Sequence, residues 1–456
     1  MTSDHGLHYN STNNISWRVE KQALHRVYAK QASKLKSGRA AGKRRHTLQR
    51  DFFRNPKVKQ AAILMATKGK IGRELTYTLA RQVNPYTAKE YVVATYPMHK
   101  GGGGTRTICI PPPVLSATLK IIKSALDVEF VRYPSLYGVK DYGRDKAAEH
   151  IQRLQREGYE YLWQTDIKDC FDSFNLDALY GLPLPNRVIS NILDTRSTRF
   201  SFQAFPSKHE AKKGASPETP SAATPVDCMV QGHSDIGSVT VDIVCNTKGP
   251  LGLMQGSPAS SAVLAWHLNE LLKTLPPVDD VQVIVCFDNL LIASRTEDGS
   301  RAIRNSLTDS LGRCSFGPLT LHEPTSADAD GGIEFLGYNH PSGGSTIGIG
   351  HNARERLMRH LKSLEDEFEK DKFANPEMET FEMWNSLLDF ASGYSKATDI
   401  EAEMAEFVEA SSWIPAISGD PVLMHMHWRL FAPRTTSEET FFEAVRDTKR
   451  RRKMKS

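Results

Sequence analysis

The segment at 281–294, VQVIVCFDNLLIAS, constrains the fold of this chain more than any other. Val281, Val283, Ile284, Val285 and Phe287 precede the pair Asp288-Asn289, and Leu290, Leu291, Ile292 and Ala293 follow it. Two β-prone apolar runs around a polar pair predict a tight hairpin. Strands this apolar must be buried, so they hold whatever sits at their tip in one place. The residues themselves leave two readings open. Asp and Asn suit turns through their own backbone chemistry, and a carboxylate at a strand end is also what a divalent-metal site requires.

The chain has 456 residues, room for two to four modules. No apolar run approaches the roughly 20 residues of a membrane span, so no membrane partner is expected. The opening MTSDHGLHYNSTNN lacks the charged and apolar regions of a secretory signal, and a cytoplasmic location is the expectation. The six cysteines, Cys109, Cys170, Cys228, Cys245, Cys286 and Cys314, form no CxxC pair, and several sit in apolar runs. That pattern favours buried thiols in a reducing compartment over zinc or disulfides.

Net charge is only +5 but is unevenly placed. Between positions 18 and 59 the acids are Glu20 and Asp51, against a long series of Lys and Arg that includes Lys43, Arg44 and Arg45. The last residues read DTKRRRKMKS, with Arg450, Arg451 and Arg452 adjacent. Basic arms at both ends suit a polyanion, nucleic acid first, or else simply a solvated tail.

Periodicity predicts a helix ending at Gly38, a second around 55–67, and strands in EYVVATYPM and TRTICIP joined by a glycine-rich turn. Helices follow in PPPVLSATLKIIKSALDVEFVRY and DKAAEHIQRLQREG, then a strand in YEYLWQTDI. The stretch 205–227, rich in Pro, Ser, Ala and Lys, reads as a mobile insertion. A helix in SPASSAVLAWHLNELLKTL, a single strand in IEFLGYNH, an amphipathic helix in ARERLMRHLKSLEDEFEKDKF and helices in TFEMWNSLLDFASGY and IEAEMAEFVEASS complete the reading.

Three blocks bear on chemistry together. WQTDIKDCFDSF ends a strand at Asp166, GPLGLMQGSPASS feeds a glycine-rich loop into a helix, and the hairpin carries Asp288. Two strand-end aspartates on adjacent strands are the donors a two-metal site uses to bring an attacking and a leaving oxygen together. In this order the blocks resemble the palm of reverse transcriptases, most closely the prokaryotic kind of group II introns, retrons and phage-defence systems. DIKDCFDSF resembles the first palm motif, MQGSPASS the Q-G-x-P-x-S loop, CFDN the Y-x-D-D turn and IEFLGY the primer-gripping strand. HKGGGGTRTICIP and YPSLYGVKDYGRDKAAEHI resemble finger blocks. The likeness covers roughly residues 85–345.

That resemblance implies an α+β right-hand polymerase. It implies a basic helical extension at 1–75, fingers at 76–160, palm at 161–200 and 246–345 around the insertion 201–245, a helical thumb at 346–430 and a basic tail at 431–456. It further implies RNA-directed DNA synthesis with Mg²⁺, or Mn²⁺. Asp166 and Asp288 would be catalytic and would hold the ions with the Ile167 carbonyl and Asn289. Lys100 and Arg106 would hold the triphosphate of a dNTP. Phe171 would lie under the sugar as a steric gate, and Gln255 and Gly256 beside the nascent base pair. The implied partners are an RNA or DNA template, primer and product, with a noncoding RNA or a second reverse transcriptase and homo- or hetero-oligomers in view.

Two blocks depart from the family pattern. The second Asp of Y-x-D-D is Asn289, which offers an uncharged oxygen and so less attraction for a cation. Where Glu-Lys-Thr is usual, Glu323-Pro324-Thr325 stands, with His322 beside it as either a proton donor or a surface histidine. Nothing resembles an HNH endonuclease, ribonuclease H or integrase. The resemblance therefore points to a stand-alone bacterial antiviral enzyme with unusual templating, and the departures equally suit a weakened nucleic-acid-binding scaffold of another polymerase.

Overall fold

The computed structural model describes residues 9–99, 105–202, 228–235, 238–245, 252–327, 332–370 and 393–399. It divides into two units. The first comprises Met1–Lys140, Asp166–Pro277 and Asn305–His322, and the second Asp141–Thr165, Val278–Arg304 and Glu323–Ser456. Both mix helices with largely antiparallel sheet. Lys100, Arg450, Arg451, Arg452 and the two helices expected after position 380 lie outside the described residues, apart from the stretch 393–394.

The first unit is built on the helix Pro113–Glu129. Its start is set by Pro113 in the first turn, where a missing N–H costs nothing. Leu115, Leu119, Ile121, Ile122 and Leu126 are buried along it. The helix Pro56–Ala66 packs against it. Asn55 caps that helix by accepting from the Lys57 and Val58 N–H groups at 3.0 and 3.2 Å. The long helix Tyr9–Ala40 lies on Pro56–Ala66 through Leu24, Ala61 and Leu64, with Trp17 and Tyr28 packed at the edge. The Tyr28 hydroxyl shares a hydrogen bond with Ser124 at 2.7 Å.

The long helix does not stop at Gly38 as its composition predicts. Gly38 faces Leu48 so closely that a Cβ would fall 2.8 Å from a leucine methyl, so the glycine serves a helix crossing. The chain turns instead at Gly42, whose φ is +75°. Just beyond, one ion cluster ties three helices together. The Glu129 carboxylate, 6% exposed, lies 2.8 Å from Arg39 and 3.2 Å from Arg45.

The five-stranded sheet of this unit runs Thr105–Ile110, Val92–His99, Arg199–Phe202, Ser238–Cys245, Cys228–Asp235. Neighbours are antiparallel except Val92–His99 and Arg199–Phe202, which run parallel. The last two strands fall inside the expected insertion 201–245; its Pro- and Ser-rich part lies outside the described residues. The helix Ser260–Thr274 is latched by buried Asn269, whose amide donates to the Val131 carbonyl at 3.0 Å and accepts from the Tyr133 N–H at 2.6 Å.

In the second unit, Tyr161–Asp166 lies between Thr325–Ser326 and Asn289–Ser294, with Val281–Cys286 beyond. The expected single strand IEFLGYNH is in fact a hairpin. Ile333–Phe335 and Tyr338–His340 pair around Leu336 and Gly337, whose φ values are +55° and +81°. Two positive φ angles make the primed turn that suits strand twist, and the apolar letters conceal it. Gly348–Ile349 completes this small sheet. The helix Arg144–Arg156 holds it through Asp145, which accepts from Tyr338 at 2.7 Å and Ser395 at 2.6 Å. Arg144 lies 4.1 Å from the Tyr394 ring centre.

Glu129→Gln is expected to cost about 2 kcal/mol. That is below the ~3–5 of a fully buried pair broken on one side, because the arginine side chains are 30% and 39% exposed. Thermal unfolding should shift down by several degrees. An unchanged midpoint would show that water screens the cluster.

Candidate active site

In the first unit three distant blocks meet at the backbone. The Leu253 N–H donates to the Phe171 carbonyl, and the Cys109 N–H donates to the Gln255 carbonyl, both at 2.7 Å. Gly252 lies so near the chain at Phe171 and Asp172 that a Cβ would collide with the Phe171 carbonyl oxygen. Gly256, at φ +98°, leaves no room for a Cβ beside the Cys109 carbonyl. The glycines of GLMQGSP thus let one loop touch two others. Phe171 and Gln255 are half-buried at this junction, and Gly256 is exposed. Arg106 lies three residues from Cys109 along one strand, about 10 Å away. It is exposed, opposite Met98, and no ion pair holds it among the described residues.

Asp166 opens the same unit's next segment, its side chain half-exposed. The His322 N–H donates to the Asp166 carbonyl at 2.9 Å, and the Lys168 N–H to the Thr320 carbonyl at 2.9 Å. These bonds bracket the antiparallel pair Ile167–Leu321. In such a pair the Ile167 N–H and C=O point away from the partner strand. The Ile167 carbonyl is therefore not spent on this ladder. The His322 ring sits beside the Asp166 side chain, Nε2 to Oδ2 at 3.9 Å. Of the two readings of His322, the structure supplies this contact, which residue type alone does not reveal. Asp169, at φ +44°, turns the chain toward Phe171.

The second unit holds the hairpin as the sequence predicts. Val281–Cys286 and Asn289–Ser294 are antiparallel, and the facing pair Cys286–Asn289 leaves a two-residue turn of Phe287 and Asp288. Phe287 has φ +57° and Asp288 is not among the residues of positive φ. This is the pattern of a type II′ turn, which favours glycine at its first position. A phenylalanine there carries strain of about 1–2 kcal/mol. Residues 284–286 and 290–294 are buried without alternation, so both faces of the hairpin are covered. The Asn289 amide nitrogen donates to Asp288 Oδ1 at 3.0 Å. Burial, then the Asp288 charge, push the Cys286 thiol up to about 12 against the opposing Arg144 charge. In the first unit, burial and then Asp172 raise the Cys109 thiol to about 11. Both stay protonated, which rules them out as nucleophiles near neutrality.

Lys43 and Arg44 are exposed, as a binding cluster needs, but Arg45 is occupied by Glu129. Among the described residues no group of three or more His, Cys, Asp or Glu is arranged to hold a metal. No helix among them is long and apolar enough to cross a membrane.

No family model matches the sequence, and no curated protein matches it. Solved structures do. One is telomerase from Candida albicans in complex with a fragment of telomeric RNA, at 11% identity and TM-score 0.36, covering 76% of this chain and 67% of that one. Apo telomerase from Candida tropicalis is similar at 11% identity and TM-score 0.38, covering 76% and 62%. A foamy viral protease-reverse transcriptase in complex with double-stranded DNA is similar at 14% identity and TM-score 0.29, covering 70% and 43%. The chain thus spans less than two thirds of the length of the last two. At these scores the likeness fixes neither the family nor the activity of this chain.

Proposed function

We propose that this chain is a nucleotidyltransferase of reverse-transcriptase type, extending a primer hydroxyl or a protein hydroxyl with deoxynucleotides. One observation carries the reading. The Gln255 loop is hydrogen-bonded at once to the Phe171 turn and to the strand bearing Arg106. A pocket for a nucleotide needs a phosphate-holding cation, a floor for the sugar and a wall for the base, and these three blocks supply them. A joint role for Asp166 and Asp288 belongs to the same reading.

The donor set fits hard divalent cations. Asp166 is a half-exposed strand-end carboxylate, the Ile167 carbonyl is turned off its ladder and Asp288 sits in a rigid turn. Oxygen donors of this kind suit Mg²⁺, or Mn²⁺, completed by water and substrate phosphates. Bound ions would offset the charge that builds on the transferring phosphate and help ionise the attacking hydroxyl. In the reaction the hydroxyl oxygen forms a bond to the α-phosphorus as the bond to pyrophosphate breaks. Arg106, with Lys100, holds the triphosphate through its forked donors. Phe171 lies under the sugar, and Gln255 and Gly256 line the new base pair. His322, beside Asp166, returns a proton to the departing pyrophosphate.

An RNA or DNA template, primer and product go with this reading, as do a need for a noncoding RNA or partner polymerase and a role in bacterial defence with unusual templating. A second reading, a nucleic-acid-binding scaffold with weakened chemistry, is favoured by Asn289. It turns its amide nitrogen to Asp288, so the turn carries one carboxylate where two would draw a second ion.

Asp166→Ala and Asp288→Ala should each remove several kcal/mol of charge stabilisation, on the order of 10³-fold in rate. The check is labelled-dNTP incorporation on co-purified nucleic acid; wild-type rates in both variants would end the catalytic reading. Phe171→Ala should lower discrimination against ribonucleotides by roughly 10- to 100-fold, read as the ratio of kcat/KM values for dNTP and rNTP. Asn289→Asp should lower the Mg²⁺ concentration for half-maximal rate by roughly 3- to 10-fold through added charge. A scaffold would stay inert in both forms.

A further inference from the structure

The helix Tyr9–Ala40 sorts its charges by face. Its one acid, Glu20, is turned inward, where it pairs with Arg73 at 2.9 Å and accepts from Tyr77. Lys21 donates to the Gly69 carbonyl, and Arg39 meets Glu129. The outward row is Arg18, Gln22, Arg26, Lys30 and Lys34, spaced four residues apart and exposed throughout. Residues four apart on a helix are neighbours on one face. Each step of four residues also adds about 40° of turn, so the row runs obliquely across the outward side of the helix, through about 160° over about 24 Å of axis.

Such a ridge is costly in the free protein. Like charges four residues apart destabilise a helix by about 0.2–0.5 kcal/mol per pair. Arg26–Lys30 and Lys30–Lys34 are two such pairs with no acid between them. A merely solvated face is relieved by interspersed Glu or Asp, and this one has none. A line of anions would offset the repulsion in both pairs. Phosphates recur about every 3.4 Å of axis along one strand of a duplex, close enough together for a backbone that follows the row to meet each of its four cations. A lipid surface fits less well. An interfacial helix needs an apolar face to bury, and Val19 is the one large apolar side chain exposed on this helix among the described residues.

We infer that Arg18, Arg26, Lys30 and Lys34 form a sequence-independent, oblique track for the phosphate backbone of a nucleic-acid strand. The track rests on charge placement and stands apart from the chemistry proposed above.

Full-length protein is titrated with a labelled 20-nucleotide oligouridylate, its oligothymidylate counterpart and a duplex, between 50 and 200 mM salt. Each single-strand phosphate neutralised contributes about 0.7 to the log–log salt slope, so four cations contribute about 3, or roughly 50-fold in affinity across that range. The variant Arg18→Gln, Arg26→Gln, Lys30→Gln, Lys34→Gln should lose that much slope with its helix content unchanged by circular dichroism. A control with the same charge change, Arg153→Gln, Arg187→Gln, Lys273→Gln, Arg301→Gln, should keep the wild-type slope. Equal flattening in both sets, or an unchanged slope in the ridge variant, overturns the track. So does ridge-dependent binding to phosphatidylserine vesicles while oligonucleotide binding persists. Asp166→Ala leaves the ridge intact, so wild-type incorporation in that variant would end the catalytic reading without touching the track, and lost incorporation with normal binding keeps the two separate.

Discussion

The nucleotide pocket proposed for the first unit depends on how close the chain at Gly252 comes to the chain at Phe171. The two backbones touch through the Leu253 N–H, and no side chain can stand between them. Three residues later the same loop takes a hydrogen bond from Cys109. A loop pinned at both ends cannot move without breaking buried backbone hydrogen bonds, each of which leaves groups that are costly to bury unpaired. The site is thus held by peptide groups, while the side chains of Phe171 and Gln255 remain half-open for contact.

Much of this was legible in the letters, for local reasons. The Asp288 hairpin, the helix Pro113–Glu129 and the helix Arg144–Arg156 follow from periodicity and from residues that start or stop an element. The misses share a cause. Gly38 reads as a stop because its partner Leu48 lies in another helix. IEFLGYNH reads as one strand because Leu336, an apolar residue, occupies a turn position that usually advertises itself with Asn or Gly. The pairing of Arg45 with Glu129 is equally invisible, because Glu129 is 84 residues away in sequence. The parallel pairing of Val92–His99 with Arg199–Phe202, and the contact of His322 with Asp166, likewise join segments whose local composition carries no trace of the partner.

Two residues with distinct roles, Phe287 and Asn289, lie on either side of Asp288. Phe287 accepts a backbone angle that glycine would adopt freely, and persists because buried strands overdetermine the turn. Asn289 takes the place where a second carboxylate would raise both cation affinity and self-repulsion. Its hydrogen bond to Asp288 replaces an electrostatic conflict with a neutral brace. Strain and charge are therefore adjusted within three consecutive residues.

The turn has a length consequence as well. Its loop is two residues, and residues 284–286 and 290–294 on either side are buried on both faces. Adding or removing one residue in either strand would exchange the faces of every side chain beyond it. Point substitutions at 287 and 289 leave that register untouched. Over evolutionary time such a hairpin can be respelled but not resized. Divergence here should accumulate as changes of letter, while insertions and deletions are confined to segments that do not set where Asp288 points.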